Sequence, residues 1–250
     1  MKMCNKWIIG MLSLTATILH ADTFYVSREG AHKTPFNSRE NASTNIQSAV
    51  DIAQEDDTIL VRAGKYKGTG DNVVLINRSL TLKSDSGNPA DVIIDCEGVR
   101  RGILAVLTNA ESVVTIGGIT VTNGYTAAKH GHGAGIYLNH TALNAGTAEI
   151  RNCVIAGNFN VSPNGHNRGG GLASIGKAGS VFHTVVSGCT ISGNTVTNRD
   201  SRGGGAAFKN TCLTLEDCKI EKNRSTGNEK RSGFGGGIHV DNVPTGSVIC

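Results

Sequence analysis

The chain has 250 residues, 33 of them glycine and only 4% aromatic, with 24 Lys and Arg against 20 Asp and Glu for a net charge of +4. Glycine at this density breaks helices, which excludes repeats built from helix pairs. No nucleic-acid partner is expected.

Residues 1–21 read as an export signal. Lys2 and Lys6 precede an apolar run from Trp7 to Leu19, and Ala21 offers a small residue at the cut. The run is too short to span a bilayer. The leader carries two lysines and no acid, so its loss lowers the net charge from +4 to +2. Export makes disulfides permissible. A ladder of free thiols is nonetheless preferred, because in-register stacking does not favour disulfide geometry and cysteine packs well as a small apolar residue. No Cys-x-x-Cys is present, so neither a metal site nor a cofactor is expected.

Residues 22–56 form an N-terminal unit. Thr23-Phe24-Tyr25-Val26 predicts a first strand. Ile46, Ala49, Val50 and Ala53 then follow the helical spacing and predict one helix over 44–54, capped by Ser43 or Thr44. The helix is expected to cover the open first turn of whatever follows, since an uncovered sheet edge invites pairing.

From residue 57 to 250 the chain reads as strands. Asp57-Thr58-Ile59-Leu60-Val61 starts the run, and short apolar segments follow at 73–76, 80–82 and 92–94. The pattern then becomes a repeat. Gly133-Ala134-Gly135-Ile136, Gly169-Gly170-Gly171-Leu172, Gly203-Gly204-Gly205-Ala206 and Gly235-Gly236-Gly237-Ile238 place their last glycines at 135, 171, 205 and 237, in steps of 36, 34 and 32. Between them recur Cys153-Val154-Ile155-Ala156-Gly157-Asn158, Cys189-Thr190-Ile191-Ser192-Gly193-Asn194 and Cys218-Lys219-Ile220-Glu221-Lys222-Asn223. Cys-x-Ile puts two apolar residues on one face of a strand. A unit of this length with no helix, stacked on its own copies, predicts an all-β parallel β-helix. Cys153, Cys189, Cys218 and Cys250 form one expected ladder, and Asn158, Asn194 and Asn223 another, with the asparagines taking positive φ at a corner. Cys250 lies 32 residues past Cys218, so the β-helix is expected to be incomplete at its C-terminal end.

Two sets of side chains bear on function. Asp91, Asp95 and Glu97 cluster around the apolar segment 92–94 and read as a polar turn. His130-Gly131-His132 reads as a surface loop rather than a metal pair. The loops 124–132, 159–168, 195–202 and 224–234 are expected on one edge. They carry Lys129, Arg168, Arg199, Arg202, Arg224, Lys230 and Arg231 against Asp200 and Glu229, more excess charge than the whole exported chain. Such a strip would meet an anionic glycan or another anionic surface.

The segment from Asn45-Ile46-Gln47 through Ala63-Gly64-Lys65-Tyr66 resembles the start of right-handed parallel β-helix proteins of the pectin-lyase-like superfamily. The glycine blocks and Ile-x-x-Asn repeats resemble those of chlamydial-type polymorphic outer membrane proteins, with Ile155, Ile191 and Ile220 where those carry Phe. The resemblance implies a right-handed coil and a secreted or outer-membrane, adhesin-like passenger without catalysis. The alternative it leaves open is a polysaccharide lyase or glycoside hydrolase, which would need carboxylates grouped on one face.

Overall fold

The computed structural model describes residues 21–109, 111–128, 131–141, 145–161, 166–197, 200–227, 233–243 and 248–249. The expected export signal therefore lies outside the described residues, apart from Ala21. So do Lys129, Arg199, Lys230, Arg231 and Cys250.

Strands account for nearly all regular structure, and every pairing among the described residues is parallel. One repeat shows why. Thr147–Arg151, Val154–Ala156, Phe159–Val161 and Leu172–Gly176 each join a different sheet. The next repeat then lays Ile150 over Val186 and Ile155 over Ile191. The chain thus coils as a parallel β-helix, one repeat per turn, with turns about 4.8 Å apart.

Four sheets form its walls. The first has eight strands, from Thr23–Val26 to Val248–Ile249. The second has six, from Gly64–Tyr66 to Lys219–Glu221. The third also has six, from Asn72–Ile76 to Ile238–Asp241. The fourth is a narrow wall of four, from Tyr125–Thr126 to Arg224–Thr226.

Alternation along each strand decides what points inward. Ile116, Ile150, Val186 and Leu215 form one buried column in the first sheet. Cys153 and Cys189 are buried free thiols beneath the second sheet, with Cys218 half-buried on the next turn. The backbone N–H of Cys153 donates to Cys189 Sγ at 3.4 Å.

The asparagines stack as a hydrogen-bonded ladder. Asn158 Nδ2 donates to Asn194 Oδ1 at 2.9 Å, and Asn194 Nδ2 to Asn223 Oδ1 at 3.0 Å. Each backbone N–H donates to the same oxygen of the next turn. Positive φ, however, belongs to the residue before each asparagine: Gly157, Gly193 and Lys222. The reason is division of labour at the corner. One residue turns the chain, which frees the next to aim its amide along the axis.

The two sequence signatures are opposite sides of one contact. A Cβ on Gly171 would lie 2.7 Å from the Asn194 amide nitrogen, and one on Gly205 equally close to that of Asn223. The last glycine of the first three blocks, Gly135, Gly171 and Gly205, is small because the asparagine ladder runs against it.

The helix is shorter than expected, Ile46–Ile52, and its cap is Asn45 rather than Ser43 or Thr44. Asn45 Oδ1 accepts from the Ser48 N–H at 2.8 Å. Ser43 is instead occupied with the Asn45 carbonyl, to which its hydroxyl donates. Ile46, Ala49 and Val50 face the core.

The opposite side of the helix closes an edge. Leu75 lies in the outermost strand of the third sheet. Its N–H donates to Gln47 Oε1 at 2.7 Å, and its carbonyl accepts from Gln47 Nε2 at 3.2 Å. One side-chain amide thus stands in for a strand.

Candidate anion-binding face

The best-defined functional candidate lies on the outward face of the third sheet. Two of the sequence-selected cations, Arg168 and Arg202, enter it just before their glycine blocks. Parallel bridges connect His132 to Arg168, Arg168 to Arg202 and Arg202 to Phe234. These positions are therefore stacked rungs rather than free loop residues, which corrects the surface-loop reading of His132. Its ring packs edge-on against Tyr137 at 5.3 Å.

Two outward columns continue the face. Tyr137, Ala173, Ala207 and His239 form one; Asn139, Ile175, Lys209 and Asp241 form the other. Alternation turns Ala173 and Ala207 outward, yet both are fully buried. Arg168 reaches Asp241 across this column, from two turns away.

Asp241 gathers three cations. Its Oδ2 lies 3.4 Å from Arg168 Nη2, 3.2 Å from Arg202 Nη1 and 3.9 Å from Lys209 Nζ. Formal charge over these four groups leaves an excess of two positive charges. The Nε atoms of Arg168 and Arg202 are buried without a hydrogen-bond acceptor, as is His239 Nε2. Arg202 also lies over the Phe234 ring, with Cζ 5.7 Å from its centroid.

Burial makes this charge costly. Arg168 is 8% exposed, and its affinity for the proton is lowered first by desolvation, then by Arg202, with Asp241 opposing both. Desolvation, followed by Arg202, likewise lowers the pKa of His239 and favours its neutral ring. An anion laid on this face would relieve the repulsion between the arginines through their guanidinium groups.

Upstream, Arg101 differs in its partners. It donates to the His132 and Gly133 carbonyls and to Asn72 Oδ1, and its Cζ lies 5.4 Å from the Tyr137 centroid. It braces the face rather than offering a free charge.

The expectation of seven exposed cations on one edge needs correction where it can be read. Arg168 is buried. Arg224 projects elsewhere, from the fourth sheet, in the column of Tyr125, Phe159 and Thr195. Sequence reasoning also missed Lys209, His239 and Asp241. Their signal was their phase: they occupy outward positions of the strand that follows each glycine block.

Among the described residues, no group of three or more His, Cys, Asp or Glu is placed to hold a metal ion. No helix among them is long and apolar enough to cross a membrane.

Compared with family models, with curated proteins and with solved structures, the chain matches none.

Proposed function

We propose that this chain is an exported, non-catalytic β-helix rod that binds anionic glycans through the outward face of its third sheet. It would be an adhesin-like passenger at the cell surface or outer membrane, a pectin-lyase-like coil with repeats of the chlamydial-type polymorphic kind. The observation that carries the binding reading is the pair Arg168 and Arg202. Both point their guanidinium groups at one shared carboxylate and keep a buried Nε without an acceptor. A polyanion presents carboxylate or sulfate oxygens at intervals along a chain, which suits a face built from stacked turns.

The hydrolase alternative would need a general acid other than Asp95. A general acid must hold its proton near neutral pH. Asp95 is instead held below the usual carboxylate range, first by the hydrogen bond from Asn123.

Retention on heparin and on polygalacturonate columns tests the reading. The exported chain should bind and elute with salt, as exposed charge interactions are screened. Arg202→Gln and Lys209→Gln should each elute at lower salt while keeping the far-ultraviolet spectrum of the parent. Absent retention, or retention unchanged in both variants, would overturn it.

A further inference from the structure

A second surface feature lies at the corner between the second and fourth sheets and shares no residue with the anion-binding face. It is an open groove of about 420 Å³, within the size range of about 300–1,000 Å³ common for small-molecule sites. Asp95, Glu97 and Asn123 line it together with Tyr125 and Phe159, with Gly98, Gly124 and Gly157 between them.

The two rings are in register on adjacent turns. Their centroids are 6.5 Å apart and their planes differ by 23°. Phe159 leaves 41% of its surface exposed. A cross-strand aromatic pair can serve the sheet alone. Here, however, the aromatic column is confined to the two turns that follow Asp95 and Glu97: its next two positions are Thr195 and Arg224.

The polar lining is pre-arranged. Asp95 ends the strand Val92–Asp95. Its Oδ1 accepts from Asn123 Nδ2 at 2.9 Å and from the Glu97 N–H at 3.0 Å. Lys65 Nζ lies 3.5 Å from its other oxygen. Glu97 Oε1 accepts from Lys67 Nζ at 2.6 Å, and Arg100 Nη2 lies 3.7 Å from Oε2. Glu97 and Asn123 both adopt positive φ, on adjacent stacked corners.

These partners constrain the ligand. A cation would compete with Lys65 and Lys67 for oxygens already engaged. Three cations against two carboxylates leave little net charge to draw an anion, and each cation already has its partner. The ionised oxygens retain lone pairs that accept from hydroxyl groups. The electron-rich ring faces attract weakly polarised C–H bonds. One class of molecule offers hydroxyls at its rim and C–H bonds on its faces without net charge.

We infer that this groove binds a neutral pyranose unit, its face against Tyr125 and Phe159 and its hydroxyls toward Asp95, Glu97 and Asn123. The site adds a neutral-sugar contact to a rod whose other face takes anions. It does not depend on that other reading.

Affinity electrophoresis of the exported chain through gels holding dextran, mannan, xylan or a mixed-linkage β-glucan tests this. At least one polymer should retard the protein. Phe159→Ala and Tyr125→Ala should each weaken that retardation by about fivefold to tenfold, whereas Phe159→Tyr should keep it. Circular dichroism of the variants establishes that the coil persists. Heparin retention measured beside it should be unaltered in Phe159→Ala, which separates this site from the anion-binding face. Free migration in all four polymers, or retardation that survives both alanine substitutions, would overturn the inference.

Discussion

Arg168 Nη2 lies 3.4 Å from Asp241 Oδ2, although 73 residues separate them along the chain. The contact skips a turn: Lys209 and Arg202 belong to the rung between. A carboxylate that serves several cations from its position in the stack competes directly with any anionic ligand. Asp241→Asn should therefore tighten retention on heparin and raise the eluting salt concentration. It should also lower stability by about 1–3 kcal/mol, because buried Arg168 loses a charged acceptor. Equilibrium urea unfolding and column elution read the two effects separately.

Gln47 closes the outer strand of the third sheet by pairing with both polar groups of Leu75. Gln47→Ala should cost about 1 kcal/mol, since both contacts are solvent-accessible and water takes them over. The larger effect should be on association, because the freed edge can accept a strand from another molecule. Light scattering at increasing protein concentration would detect this, with the parent chain as reference.

Asn194 occupies the middle of the asparagine ladder and is fully buried. It accepts from two Asn158 donors and donates to the Ile155 carbonyl at 2.8 Å. Asn194→Ala strands these groups in the interior. At about 1–3 kcal/mol for each unsatisfied buried group, the loss should be about 3 kcal/mol or more. By comparison, a substitution at exposed Arg224 should shift the urea midpoint little.

His140 gives the stability a predictable pH dependence. It is buried, its ring stacks on Phe182 at 3.5 Å, and Nε2 lies 2.9 Å from Ser174 Oγ. Burial pushes its pKa down to about 3. The unfolded chain, with an ordinary histidine near 6.5, binds that proton far more readily. Stability from this residue is therefore present above about pH 6.5 and is lost as pH falls toward 3, at up to about 1.4 kcal/mol per pH unit. His140→Gln, which can keep a hydrogen bond to Ser174, should flatten the fall in urea stability between pH 6.5 and 4.

The coil was legible because its constraint is periodic. Ile150, Val186 and Leu215 must all point inward at the same wall, so their spacing is written openly in the chain. The glycine blocks and the asparagines were legible for the same reason, although not their mutual contact. The helix was found from its apolar stripe, but its cap was misassigned: Ser43, Thr44 and Asn45 are all capable, and only the path of the chain into the helix selects among them. The cations were chosen by loop composition, which cannot distinguish buried Arg168 from exposed Arg224. The aromatic groove went unread because Asp95, Asn123 and Phe159 come from three different turns.

Sequence alone determined that the second half of this protein coils in repeats of 29 to 36 residues and which residues line its interior there. Stacking demands like over like, and that demand leaves a period. The tertiary structure decided which unlike residues meet: Arg168 with Asp241, Gln47 with Leu75, Phe159 with Tyr125 beside the acids. Such meetings depend on side-chain reach between walls and across turns, a distance in space that imposes no rhythm on the order of residues.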